Sequence, residues 1–312
     1  MRIITYSTPA KVILSGEHAV VYGKPALVCG INLRLKFSLW EQDRKVEDKN
    51  IILISQIVKK YLKKAKIDFI DKKFNYQVES QIPIGQGLGS SAAFSVATAA
   101  SFLKFYSGKD FAKDEINQVA YQIEKHFHQN PSGADNTTSC FGGLIYFRKE
   151  FDFLKNINIL DFKLPKNLTD KLFLIDSGKA EEKTAEMVMI VKENYQKNSA
   201  FFDEVFCDIE KVTKTMVLAI KNQDIDLFAK CILDNEILLE ILGVVSKKTK
   251  NLLKQLERFG IGKITGAGGK NKGSGFLLFL AKKEDALVKF LQKEKINFLK
   301  LSLDNKGVYE QS

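Results

Sequence analysis

Glu124 and Asp135 lie eleven positions apart in the stretch EKHFHQNPSGADNTTSCFGG, residues 124–143. One carboxylate ends a helical run, and a tight PSGAD turn presents the other, so the two can converge on one cleft. A carboxylate on Mg2+ and a second beside an attacking hydroxyl is the division of labour of phosphoryl transfer. Phosphate also needs a cradle, and PIGQGLGSSAA, residues 83–93, has the composition of one. Its glycines let backbone N–H groups converge without side chains in the way. A helix start directly after them adds unpaired N–H donors and the positive end of the helix dipole. Ser90 or Ser91 is placed to cap that helix, and a serine hydroxyl can ligate Mg2+. Each stretch also has a plainer use: a turn-forming Asp, a solvated Glu, a helix start with no ligand.

Rival chemistries fit these residues less well. Gly87, Gly89 and Ala92 match the G-x-G-x-x-A dinucleotide fingerprint. That site needs a second strand after the helix, ending in an acidic residue, whereas here the helix runs into SGKDFAKDE and another helix. No glycine is followed by Lys-Ser or Lys-Thr, as a P-loop requires. A zinc site of Glu124, His126 and His128 is disfavoured because histidines two apart on a helix face different ways. Two further stretches carry chemistry-bearing residues. KITGAGGKNKGSGFLLF, 263–279, leaves a strand at Thr265 and spends five glycines before the next one. A plain hairpin needs one or two, so the excess points to close backbone approach to a ligand or another loop. TPAKVILSGEHAVVYGKPAL, 8–27, places Lys11 at the start of a strand and Gly16-Glu17-His18 just past its end. The chain's three histidines, His18, His126 and His128, all fall in these stretches.

The elements that must position these residues follow from periodicity. Leu33, Leu35, Phe37 and Leu39 alternate with Arg34 and Lys36, which predicts a strand over 32–40. Helical spacing appears at 51–62, a strand at 74–82, a helix at 90–106 and another at 113–128, where Ile116, Val119, Ala120, Ile123 and Phe127 share a face. A strand follows at 142–147. Beyond Asp152 the order is a strand at 171–176, then a long helical stretch over 181–259, broken near Asn198, Asn222 and Gly243. Strands at 261–264 and 275–281, a helix at 283–293 and a strand at 297–303 close the chain with a βαβ-like unit. The expectation is an α+β fold of two domains, 1–165 and 166–312.

Composition narrows the setting. The 312 residues are 45% hydrophobic and 27% charged, as in a globular protein, and no apolar run approaches the length of a membrane span. The N-terminal MRIITYSTPAKVIL lacks the apolar centre and cleavage site of a signal peptide. Cys29, Cys140, Cys207 and Cys231 are scattered and form no CxxC pair, so reduced thiols in a cytoplasmic protein are expected. A net charge of +11 suits polyanions, or it serves only solubility, since the lysines are spread along the chain. No nucleic-acid module is visible, and neither nucleic acid nor membrane is expected as a partner. Monomer and homodimer both stay open.

PAKVILSGEHAVVYGKPA, PIGQGLGSSAA, NPSGADN with its following GG, and KITGAGG occur in the order and rough spacing of the GHMP kinases, which the chain resembles over nearly its whole length. GEHAVVYG is unlike the GEHTDY of galactokinases and the GEYAVV of phosphomevalonate kinases. HQNPSGADN is similar to the motif of the mevalonate kinases. The resemblance implies an N-terminal domain like domain 2 of ribosomal protein S5 and a ferredoxin-like C-terminal domain. It implies transfer of the γ-phosphate of ATP to the C5 hydroxyl of mevalonate, a step of isoprenoid precursor synthesis, with a related acceptor such as phosphomevalonate as the alternative. By resemblance, Asp135 is the catalytic carboxylate and Lys11 sits beside it. Ser91 and Glu124 hold Mg2+, while Gly85, Gly87, Leu88, Gly89, Ser90 and Ser91 cradle the phosphates. Glu17, His18, Gly266 and Ala267 lie on the substrate side. Thr184, in DSGKAEEKTAEMV, is a further candidate there, with a solvated first helical turn as the alternative. The chain departs from the family where GGKNKGSG replaces the second half of TGAGGGGC, leaving Lys270 and Lys272 as phosphate contacts or solvated groups. Gln129 also replaces a glycine.

Overall fold

The computed structural model describes residues 3–43, 46–127, 131–151 and 154–311. In chain order, β1 (Ile3–Ser15) and β2 (Pro25–Glu41) flank a 3-10 turn at Ala19–Tyr22. Next come α1 (Lys49–Lys64), β3 (Phe74–Ser80), α2 (Ser90–Ser107), α3 (Lys113–Phe127), α4 (Ala134–Phe141), β4 (Leu144–Lys149) and β5 (Lys155–Ile159). They are followed by α5 (Lys166–Thr169), β6 (Leu172–Asp176), α6 (Thr184–Lys197), α7 (Ser199–Lys221), α8 (Ile225–Ile241) and α9 (Lys247–Leu256). The last elements are β7 (Gly260–Ile264), β8 (Phe276–Ala281), α10 (Glu284–Lys293), β9 (Phe298–Lys300) and β10 (Tyr309–Gln311).

Two antiparallel sheets organise these elements. The first has the order β10-β1-β2-β4-β5, with β3 also paired to β2. The second runs β7-β8-β6-β9. β8 and β9 are joined through α10 but separated by β6, which makes a split βαβ unit rather than adjacent strands. Tyr309–Gln311 returns to pair with Thr5–Ser7 of β1, so the end of the chain belongs to the first sheet.

α2 occupies the middle of the first core. Its run from Ala92 to Tyr106 is buried except at Phe94, because alanine and small hydroxyl residues let neighbours close in on every side. Each large apolar side chain sealed there, such as Phe102, contributes about 1.5–3 kcal/mol. α1 is amphipathic and buries Ile51, Ile54, Val58 and Leu62, and Asp48 caps it by accepting the N–H groups of Asn50 and Ile51. α3 buries Ile116, Val119, Ala120 and Ile123 against α2, and Glu124 goes inward with them.

Three expectations change. Asp135 sits in the first turn of an eight-residue helix, α4, and not on a bare turn. Neither Ser90 nor Ser91 caps α2; the cap is Gly89 in a left-handed conformation, with no side-chain bond. β5, with no counterpart in the sequence pattern, pairs with β4. The described part of α3 ends at Phe127, and His128 and Gln129 lie outside the described residues.

Candidate active site

β1 delivers Lys11 and α4 delivers Asp135, with Nζ and Oδ2 3.2 Å apart. The Lys11 side chain is only 3% exposed, whereas that of Asp135 is 41% exposed. The carboxylate is therefore held by a sealed cation and still open on its other side. Gly89 makes room for this arrangement. With φ of +77, a Cβ there would stand 2.7 Å from Lys11 Cγ, so a side chain at 89 and the lysine stem cannot coexist. The Lys11 N–H donates to the Leu88 carbonyl at 3.0 Å, tying strand to loop. α4 is pinned in turn: Asn136 donates to Asn117 at 2.6 Å, and Asn117 donates to Thr137 at 3.1 Å.

Ser91 Oγ donates to Glu124 Oε1 at 2.9 Å, and Ser95 Oγ donates to the same oxygen at 2.7 Å. Glu124 is buried, at 6% exposure, so it is not a solvated helix residue. Ser95 was not among the expected residues, although it stands one helical turn after Ser91, on the same face of α2. A hydroxyl and a carboxylate meeting at the mouth of a glycine loop supply hard oxygen donors. This suits Mg2+, which takes one or two carboxylates and completes its shell with phosphate and water. Among the described residues no group of three or more His, Cys, Asp or Glu side chains is placed to hold a metal ion.

The other wall comes from the turn after β1 and the loop after β7. Ile13 N–H donates to Thr265 Oγ1 at 2.9 Å, and that hydroxyl lies 3.2 Å from the Ile13 carbonyl. His18 Nε2 lies 3.0 Å from the Ala267 carbonyl. Burial pushes the His18 pKa down to about 4, so the ring is neutral near pH 7. A carbonyl can only accept, so Nε2 carries the proton and donates. Nδ1 is then a bare acceptor, buried and without a hydrogen-bond partner among the described residues. Glu17 and Lys263, at 1% and 0% side-chain exposure, form a sealed ion pair. Burial raises the Glu17 pKa, and the Lys263 ammonium opposes that shift. Glu17 Oε2 has no hydrogen-bond partner among the described residues.

The glycine loops meet backbone to backbone. A Cβ on Gly266, at φ of +93, would lie 2.9 Å from Gly87 Cα. The Phe276 N–H donates to the Gln86 carbonyl at 3.1 Å. Lys179 lies along Gly85, its Cε 3.1 Å from where a Cβ would stand, and brings a cation to the cradle that motif reasoning missed. Thr184 is exposed at the first position of α6, and no described hydrogen bond joins it to the other candidates. Lys272 pairs with Glu181 at 3.0 Å, both exposed. Glu182 accepts the N–H groups of Lys270 at 3.1 Å and Asn271 at 3.0 Å. Its slight burial would raise its pKa, but these donors bring it below the usual carboxylate range.

A model of the GHMP kinases N terminal domain matches residues 52–143, the stretch running from α1 through α4. The mevalonate kinase of Archaeoglobus fulgidus is 33% identical over 84% of this chain and 88% of its own length. That of Methanocaldococcus jannaschii is 32% identical over 96% of this chain and 99% of its own. The crystal structure of the Methanococcus jannaschii mevalonate kinase superposes with a TM-score of 0.77 at 28% identity, covering 97% of this chain and 98% of that one. The chain belongs to the GHMP kinases and, within them, to the mevalonate kinase family.

Proposed function

We propose that Asp135 and Lys11 are the catalytic pair of an ATP-dependent kinase that phosphorylates the C5 hydroxyl of mevalonate. The observation that carries this is the asymmetric pair itself, a buried Lys11 against an Asp135 open to the cleft. In this mechanism the acceptor hydroxyl donates a hydrogen bond to Asp135, which takes its proton as the oxygen attacks the γ-phosphorus. A new O–P bond forms, the bridging bond to the β-phosphate breaks, and ADP leaves. Lys11 keeps the Asp135 charge in place and faces the oxygens in transit. The backbone of Gly85, Gly87, Leu88, Gly89, Ser90 and Ser91 cradles the phosphates. Ser91 Oγ and Glu124 would hold Mg2+, which when bound neutralises charge on the β- and γ-phosphates. His18 Nδ1 accepts from a mevalonate hydroxyl. Glu17 shapes that end with Lys263, the Ala267 carbonyl fixes the His18 ring, and Gly266 lies on the same loop, against Gly87. Thr184 stands at the rim.

We also propose a division at 165/166, with β10 returning to the sheet of the first unit, the first unit supplying Lys11, Ser91, Glu124 and Asp135 and the second the 265–269 loop. A cytoplasmic setting fits the four cysteines, which are all free thiols. Among the described residues no helix is long and apolar enough to cross a membrane.

A panel of mevalonate, phosphomevalonate, homoserine and galactose, read as ADP formed, tests the assignment. Turnover is expected with mevalonate, with 31P NMR placing the product phosphate on C5. Turnover with phosphomevalonate and none with mevalonate would overturn it.

A further inference from the structure

Away from the catalytic cleft, a groove of about 720 Å3 runs between α1 and α3. Lys60 and Lys64 enter it from α1, and Lys125 and His126 from α3. Among the described residues no acidic side chain lines it. Its apolar surface comes from Tyr61, Ile57, Ala65 and Val119. Lys60 and Lys64 make no ion pair with any described residue, although the neighbouring Lys59 is paired with Asp71 at 2.5 Å. Cations thus gather from two helices beside an aromatic ring, and an anion placed among them would offset the repulsion between Lys60 and Lys64. The volume matches a small organic molecule rather than a bare ion.

We propose that this groove is a second ligand site, separate from the ATP cleft, for an aryl or heterocyclic anion. Its phosphate or sulfonate head lies between Lys60, Lys64 and Lys125, and its ring lies on Tyr61. The two faces of α3 divide the work. Glu124 points inward to Ser91 and Ser95, while Lys125 and His126, the next two residues, face the groove. The site is independent of which acceptor the kinase uses.

The probe is 1-anilinonaphthalene-8-sulfonate, whose fluorescence rises on binding, titrated into the full chain with Mg-ATP at saturation. One saturable site is expected to persist with Mg-ATP bound, and to weaken as salt is raised. The double variant Lys60→Glu/Lys64→Glu should bind the probe at least about tenfold more weakly, with kcat for phosphoryl transfer unchanged. Lys60→Gln/Lys64→Gln should fall between the two, which separates charge from loss of fold. Complete displacement of the probe by Mg-ATP, or equal affinity in wild type and both variants, would overturn the proposal.

Discussion

The two walls of the cleft each hold a lysine–carboxylate pair, and the pairs differ in one respect. Lys11 and Asp135 are 3% and 41% exposed, whereas Lys263 and Glu17 are 0% and 1% exposed. In the first pair only the cation is sealed, so the carboxylate has a face left for a substrate hydroxyl. In the second, both charges are shut in. Lys263 Nζ also lies 2.7 Å from the Ile264 carbonyl and 3.4 Å from that of Ile13, so carbonyls and carboxylate together surround the ammonium. Taking two charges out of water costs several kcal/mol per ion, and the attraction between the two charges, with the carbonyls on the ammonium, offsets that cost on the Lys263 side while Glu17 Oε2 stays without a partner among the described residues. The same two residue types thus leave a carboxylate open to a ligand when one partner stays wet and make a clamp when neither does. The clamp joins β7, which leads into the loop of Ala267, to the turn after β1, which carries His18.

The sharpest break of this contrast is Asp135→Asn. The amide keeps the shape but cannot accept the substrate proton. We expect kcat to fall by about 10²- to 10⁴-fold, with ATP binding kept and the unfolding midpoint little changed. Full turnover in this variant would remove Asp135 from the mechanism. The complementary change, Lys263→Met, fills the space but removes the cation that opposes the burial of Glu17, whose carboxylate must then stand uncompensated or take up a proton. A loss of about 3–5 kcal/mol in stability is expected from denaturant unfolding. If stability holds and only kcat falls, the sealed pair is chemical and the contrast fails.

How much of this was visible in the sequence differs for the two pairs. Lys11, Asp135, Ser91 and Glu124 stand in local motifs whose glycines and turn residues announce them. The helix breaks were equally legible: Asn198 caps α7 by accepting the Phe201 N–H, and Gly243 follows α8 at φ of +78. The sealed pair was not legible, because Lys263 and Glu17 are 246 positions apart and a lysine in a strand reads as a solvated residue. α4 escaped for a different reason. ADNTTS has no apolar stripe, and the helix is held instead by buried amides and hydroxyls around Asn117. The return of β10 to the first sheet is set by tertiary contacts, with Arg34 reaching Asp304, Ser7 and the Gly307 carbonyl.

The smallest expected effect concerns Glu236 on α8, which accepts the Ile264 N–H at 2.8 Å directly beside the sealed pair. Burial raises its pKa to about 7; the Ile264 N–H and Lys263 oppose that shift, and Glu240 and Glu17 add to it. The folded chain therefore holds a proton on this carboxyl at pH values where the unfolded chain has released it. The stabilisation is complete below about 4.5, the ordinary value, and is lost as pH rises towards 7. Glu236→Gln fixes the group in a neutral form, and its amide oxygen can still accept from Ile264. Between pH 5 and 7 the unfolding midpoint of the wild type should fall more steeply than that of the variant. The slope should be reduced and not abolished, because burial raises the Glu17 pKa in the same direction and Glu17 remains. Coincident slopes would mean that Glu236 is not the titrating group, and that the clamp keeps its pH dependence within the Lys263–Glu17 pair alone.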